Sequence, residues 1–430
     1  MLFKNIKILD KYGEIKTDQY VSTDGDTIRY IGDERPEGFF DYEYDGKDKL
    51  LLPGFYNAHS HSPMTLMRGY GENLSLHDWL ETRIFPFEAK LYKEAVYYGS
   101  LLSFAESVRY GIVSTTDMYD FCEDIINAAS DAGVKVNVGR ALTAFSEVDL
   151  TEMEGFKEAK YLFENYNNAQ NGKIKVEMSL HAEYTSNEKL VKELADYTRE
   201  IDGGMHVHIS ETESEHEECK ERRGGKTPTE YFDKLGLLDT RTIAAHCVWI
   251  TENDMDIMAE RGVTVASCPV SNLKLASGIC NVPLLQKKGV RIAIGTDSVA
   301  SNNNLNFIEE MKFFALINKE RRSDPTLVSP LETLDAATFA GAQSQGRIDC
   351  GRIAEGYKAD LIVMDTSGPQ WHPEHELLNN LIYSSSGSDV VLTMVDGEVV
   401  YNEGEYTTID IERVIYEVDK AKTRILGQLR

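Results

Sequence analysis

The sequence predicts an α/β fold: a (β/α)8 TIM-type barrel with a small β-sandwich-like domain built from both chain ends. Three observations carry that expectation. Between about Pro53 and Gly295, eight short β-rich runs alternate with stretches of helical period. His59, His61, His181, His208, His246 and Asp297 all stand at the C-terminal ends of such runs, and barrel active sites lie on that face. The two chain ends read differently, as short strands joined by tight turns.

Taken in order, residues 1–50 offer strands at Phe3–Leu9, Gln19–Ser22 and Thr27–Ile31, with Asp24-Gly25-Asp26 as a turn. The β-rich runs of the barrel are Leu50–Phe55, Ile112–Asp117, Val134–Arg140, Ile174–His181, Met205–Ser210, Thr242–Cys247, Val263–Ser267 and Arg291–Ile294. Between them, Leu101, Phe104, Ala105 and Val108 recur at helical spacing, as do Ile125, Ala128, Ala129 and Ala132 before the stop at Gly133. Thr251 is an N-cap candidate for a helix through Met255 and Met258 that Gly262 ends. Strands return at Leu361–Met364, Val390–Val395 and Val399–Tyr401, with Asp396-Gly397 as a hairpin signal. An amphipathic helix over Ile411–Leu429 closes the chain. The expected division is residues 1–52 with 353–430 as a composite β domain, and 53–352 as the barrel.

The 430 residues suffice for one large core and a small companion. A formal net charge of -26 argues against a nucleic-acid partner, which would need clustered Lys and Arg. The six cysteines form no C-x-x-C pair and read as reduced, buried thiols. The opening Met1-Leu2-Phe3-Lys4-Asn5 has no apolar h-region, and no run of about 18 apolar residues occurs. The expectation is a cytoplasmic protein with no membrane partner.

The densest chemistry is His59-Ser60-His61, just after Leu50-Leu51-Leu52-Pro53-Gly54-Phe55. Side chains two apart on a strand point the same way, so both imidazoles can meet one cation. His208 and Asp297 add a third imidazole and a carboxylate. That set suits one divalent metal, Zn2+ first and Fe2+ second, with a position left for water. Such an ion lowers the pKa of water toward neutrality. His206 forms a second H-x-H with His208. His208 is preferred as the ligand, because it lies nearer the strand end and three residues before Glu211. Glu211 is placed to move a proton. His246 can orient the nucleophile and stabilise an oxyanion. Glu213, Glu215, Glu217 and Glu218 read as carboxylates serving a helix dipole.

These stretches resemble the amidohydrolase superfamily, in particular its methylthioadenosine/S-adenosylhomocysteine deaminase branch. The resemblance rests on Pro53 to His61, the His208–Glu211 cluster, Ala245-His246, Ser271 to Gly278, Gly295-Thr296-Asp297-Ser298 and Ser301-Asn302-Asn303, and on Gly351-Arg352-Ile353 to Ala359-Asp360-Leu361-Ile362-Val363. It implies one divalent metal in a distorted barrel. No lysine ends the fourth strand, so a carboxylated lysine bridging two metals is not expected. The resemblance also implies that Trp79 packs on a nucleoside and that Glu88 binds ribose hydroxyls. By the same token His181 contacts the purine, and Arg140 lies near the 5′ substituent. This chain departs from the family in three places. No second arginine occurs in Ala141–Leu150, Ser179-Leu180-His181-Ala182-Glu183 replaces Gly-Pro-His-Ala-Pro, and Ser267-Cys268-Pro269 replaces a histidine-bearing form.

The expected activity is metal-dependent hydrolytic deamination of an adenosine-type nucleoside to the inosine form plus ammonia. Candidate substrates are 5′-methylthioadenosine, 5′-deoxyadenosine, adenosine and S-adenosylhomocysteine, with uncharged 5′ groups ranked ahead of homocysteine. Catalysis would fall to Glu211, His246 and Asp297. The alternative is a deaminase or chlorohydrolase acting on a free base or triazine. A homo-oligomer is expected.

Overall fold

Eight parallel strands pair in sequence order in the computed structural model, which describes residues 1–429. They are Phe55–Ser60, Ile112–Tyr119, Lys135–Leu142, Ile174–Leu180, Met205–Ile209, Thr242–His246, Thr264–Ser267 and Arg291–Ile294. Nearly all their residues are buried, as strands covered on both faces require. The sheet curls into a nearly closed barrel. Its first and last strands meet where the Asp297 N–H donates to the His59 carbonyl at 3.0 Å.

The intervening helices follow their local signals. Cys122–Ala132 ends at Gly133, whose φ of 76° is the left-handed cap that glycine adopts without strain. Glu252–Arg261 starts from Thr251, whose hydroxyl accepts from the Asp254 N–H while Asp254 caps in return. Ile411–Gln428 buries Val414, Ala421 and Ile425 and packs on Lys93–Arg109.

The second sheet has nine strands drawn from residues 2–53 and 361–406. Leu2–Leu9 lies beside Ile15–Asp24 on one side and Lys49–Pro53 on the other. Lys49–Pro53 in turn pairs antiparallel with Leu361–Asp365. The hairpin at Asp396-Gly397 has φ of 48° and 79°, the two positive values that a tight hairpin turn demands.

One sequence reading needs correction. The apolar run Leu50–Phe55 is not a single barrel strand. Lys49–Pro53 belongs to the nine-stranded sheet, and the first barrel strand begins only at Phe55. Gly54 divides them. Its N–H donates to the Asp360 carbonyl at 2.9 Å, and a Cβ there would stand 2.3 Å from Val113 Cγ1. Both strands bury both faces, so alternation carries no mark of the break.

A buried ion network ties the two sheets together. Lys135, on the third barrel strand, contacts Asp360 and lies 2.6 Å from Asp396. Tyr56 donates its hydroxyl to Asp360, and the Asp396 N–H donates to Asp360 Oδ1 at 2.8 Å. The attraction of Lys135 holds the Asp360 carboxyl below its ordinary range despite burial. Lys135→Met would strand two carboxylates out of water. We expect a loss of about 3–5 kcal/mol, read as a lowered denaturation midpoint, while the same substitution at exposed Lys422 changes little.

Candidate active site

The site is assembled at the C-terminal ends of the barrel strands. A register shift between Asn57 and Ser60 marks a bulge at the end of the first strand, a device that re-aims side chains. His59 lies within that strand and His61 just past it. Their ring centroids are 4.8 Å apart, and His208 sits 4.9 Å from His59 and 5.4 Å from His61. Asp297 Oδ1 stands 3.5 Å from His59 Nε2 and 3.3 Å from His61 Nε2. Donor atoms of His59, His61 and His208 lie within 4.8 Å of one another, as do those of His59, His246 and Asp297.

Hydrogen bonding selects the ring nitrogens that face the centre. His61 Nδ1 is 2.5 Å from the Met118 carbonyl, and His208 Nδ1 is 2.8 Å from the His181 carbonyl. Each Nδ1–H donates, which turns each Nε2 toward the centre. His59 Nε2 is buried without a hydrogen-bond partner. Burial pushes His59 down to about 3, keeping it neutral, and pushes His208 well down too. Asp297 behaves oppositely. Burial would raise it, but the neighbouring imidazoles of His59 and His61 hold it well below its usual range. Burial likewise opposes a charge on His61, yet Asp297 lifts that ring to about 9. The pocket between them therefore favours a positive charge, and three imidazoles with one carboxylate fit a single divalent cation. His206 is not part of this set. Its Nε2 lies 2.9 Å from His59 Nδ1, where it fixes the His59 ring.

Asp297 is itself held. Its Oδ2 accepts from Ser271 Oγ at 2.5 Å and Ser301 Oγ at 2.9 Å, leaving Oδ1 toward the histidines. Ser210, His246 and Asp297 adopt left-handed backbone, with φ of 49°, 71° and 59°. Such conformations cost about 1–3 kcal/mol each and concentrate at functional sites.

Glu211 Oε2 lies 3.6 Å from His246 Nε2, and Ser277 Oγ donates to Oε1 at 3.3 Å. Burial raises the Glu211 pKa, which suits a group that both takes and returns a proton. His246 Nδ1 lies 2.9 Å from Asn272 Oδ1 and donates to it, so its Nε2 can accept.

These groups open into a cavity of about 380 Å3, the size of a small-molecule site. Trp79, Glu88, Arg140 and His181, each read from the sequence as a substrate contact, all line it. Glu88 Oε1 accepts from the Tyr119 hydroxyl at 2.7 Å. Arg140 stands two residues before its strand ends. It pairs with Asp120, and with Glu158 at 3.0 Å. His181 follows the fourth strand, and its Nδ1 is 3.0 Å from Thr185 Oγ1. Sequence reasoning missed Tyr119, Asp120, Phe145 and Tyr184 on the wall. Tyr119 and Asp120 lie two and three residues past the second β-rich run, and that position was their only signal.

Residues 50–400 match the Amidohydrolase family. The chain belongs to this family. It is 40% identical over 432 residues to the 5-methylthioadenosine/S-adenosylhomocysteine deaminase of Caldanaerobacter subterraneus subsp. tengcongensis, covering 100% of this chain and 99% of the relative. It is 38% identical over 370 residues to the 5'-deoxyadenosine deaminase of Methanopyrus kandleri, covering 86% and 85%. Among solved structures, a zinc-bound adenosine deaminase from Xanthomonas campestris superposes with a TM-score of 0.94 at 31% identity, covering 99% and 98%.

The amidohydrolase should purify with about one divalent ion per chain. His208→Ala should hold far less, whereas Glu211→Gln should keep its metal and lose turnover. Elemental analysis beside an ammonia assay reads both, and unchanged metal in His208→Ala would contradict the assignment.

Proposed function

We propose that this amidohydrolase deaminates an adenosine-type nucleoside, giving the inosine form and ammonia. The observation that carries the reading is one cavity holding both the Glu211–His246–Asp297 cluster and Glu88. The first can break a ring C–N bond with water. The second offers a carboxylate to ribose hydroxyls. Relatives named for methylthioadenosine, S-adenosylhomocysteine and 5'-deoxyadenosine support the nucleoside class. We take the ion to be zinc, held by His59, His61, His208 and Asp297. The zinc-bound structural relative supports that choice.

When bound, the ion supplies activation of water near neutral pH. The side chains do the rest. His246 accepts a hydrogen bond from the attacking water through Nε2 and so orients it. Glu211 takes the water's proton and delivers it to the ring nitrogen beside the amine-bearing carbon. Water's oxygen bonds that carbon as charge moves onto the ring. Asp297 passes the second proton to the departing amine, so ammonia leaves and the ring carbonyl forms. Trp79 gives the nucleoside an aromatic surface, and His181 faces the purine.

The 5′ end meets little free positive charge. Arg140 is engaged by Asp120 and Glu158, Ala141–Leu150 has no other arginine, and the exposed Phe145 lines the wall. An uncharged 5′ group fits this wall better than an amino-acid carboxylate. Methylthioadenosine and 5′-deoxyadenosine should therefore turn over with higher kcat/KM than S-adenosylhomocysteine. Ultraviolet assays of the candidate nucleosides give the order, and fastest turnover of S-adenosylhomocysteine would reverse it.

Burial pushes Glu88 up to about 7, with Asp120 adding to the rise and Tyr119 and His61 opposing it. The ionised carboxylate accepts both ribose hydroxyls, whereas the protonated one gives up an acceptor. KM for a riboside should therefore fall as pH rises through about 7. Glu88→Gln should abolish that dependence and raise riboside KM about 10–100-fold, the loss of a charge-assisted hydrogen bond. Turnover of a free base would be spared. Equal damage to both substrates would favour the free-base reading instead.

A further inference from the structure

We propose that Glu215 is a positioning residue: its buried carboxylate grips the backbone of Ser210 and Glu211 and so aims the Glu211 side chain. The inference rests on the proton-shuttle reading of Glu211. The sequence groups Glu215 with the helix-dipole carboxylates, but the structure separates it from them. Glu213, Glu217 and Glu218 are exposed, and Glu215 is buried. The Ser210 N–H donates to Glu215 Oε1 at 2.9 Å, and the Glu211 N–H donates to Oε2 at 2.7 Å.

Ordinary capping does not explain this reach. Glu215 is the third residue of the helix Glu213–Arg222, whose N-cap is Thr212. In a capping box a glutamate at that position returns to the N-cap N–H. Thr212 Oγ1 does its own part, accepting from the Glu215 N–H at 3.2 Å. The Glu215 side chain passes over Thr212 and binds the two preceding amides. Successive N–H groups around a left-handed residue make an anion-binding concavity, and Ser210, with φ of 49°, is that residue. The Ser210 carbonyl accepts from Val248 N–H at 3.1 Å and Trp249 N–H at 3.0 Å. The peptide carrying Glu211 is thereby fastened to the segment that follows His246, the other member of the proton-handling pair.

The test compares Glu215→Gln with Thr212→Ala in the full-length, metal-loaded enzyme. Both disturb the same helix end, but only the first sets an amide donor against one of the two N–H groups. Glu215→Gln should lower kcat by up to about 100-fold, the effect of a misplaced catalytic group, with KM and bound metal nearly unchanged. Thr212→Ala should lower thermal stability and leave kcat nearly unchanged. Wild-type kcat in Glu215→Gln would overturn the proposal, as would an equal kcat loss in Thr212→Ala or a loss explained by KM or missing metal. If Glu215→Gln does not fold, Glu215→Asp is read by the same criteria. Failure of both to fold would assign Glu215 to folding and reject the aiming role. Turnover is measured on whichever amine-bearing ring the wild type accepts. A wrong substrate class would thus show as wild-type inactivity on nucleosides, separately from the variants.

Discussion

The seam between the first and last barrel strands is the constraint on which the site depends. His59 and His61 come from one side of it and Asp297 from the other. The Asp297 N–H reaches the His59 carbonyl across it at 3.0 Å. Backbones approach this closely only because residue 295 is glycine. A Cβ there would stand 2.9 Å from His59 Cβ and 3.0 Å from both His59 N and Cys268 Sγ. Asn57 laces the same seam. Its Nδ2 donates to Thr296 Oγ1 at 2.7 Å, and its Oδ1 accepts from the Thr296 N–H at 3.0 Å. One carboxamide thus serves as donor and acceptor where a regular ladder is lacking.

Closure concentrates groups that would not otherwise share a buried space. His59, His61, His206, His208 and His246 lie around one point, with the Asp297 carboxylate in direct reach of two of them and the Glu211 carboxylate in reach of His246. Several cationic imidazoles there would repel one another in a medium of low polarity. Burial resolves the conflict by keeping His59, His206 and His208 neutral. The remaining tendency toward positive charge is focused between Asp297 and His61. A cation is the partner that satisfies the carboxylate and the neutral nitrogens together. The left-handed turns at Ser210, His246 and Asp297 are the backbone cost of pointing these side chains inward.

Much of this is legible in the sequence because its physics is local. Eight apolar runs punctuated by helical segments imply parallel pairing, and a polar residue at a strand end reads as a residue at the barrel mouth. His59, His61, His208, Glu211, His246 and Asp297 all announce themselves this way. The Leu50–Phe55 run misleads because two fully buried strands in different sheets have the same composition. Glu215 is hidden among neighbouring glutamates, since only the fold decides which carboxylate finds unpaired amides. Asn57 carries no signal in its own segment, and Tyr119 carries only its place just past a β-rich run. Their value comes from partners 239 and 31 residues away, at Thr296 and Glu88.

The two chain ends converge on the strand that needs them most. Phe55–Ser60 has a laddered neighbour on one side only, and it carries the first ligand candidate. Asp360, from the terminal sheet, takes the Gly54 N–H through its carbonyl and the Tyr56 hydroxyl through its carboxylate. Those contacts anchor the strand at its start, while Asn57 and the His59 carbonyl pin its far end to the last strand. The strand is only six residues long, so fixing its base also fixes where His59 emerges. The buried Lys135 completes that anchor from the third strand. The nine-stranded sheet therefore contributes to the chemistry at a distance, by holding the base of the seam strand in register at the end of the barrel opposite the site.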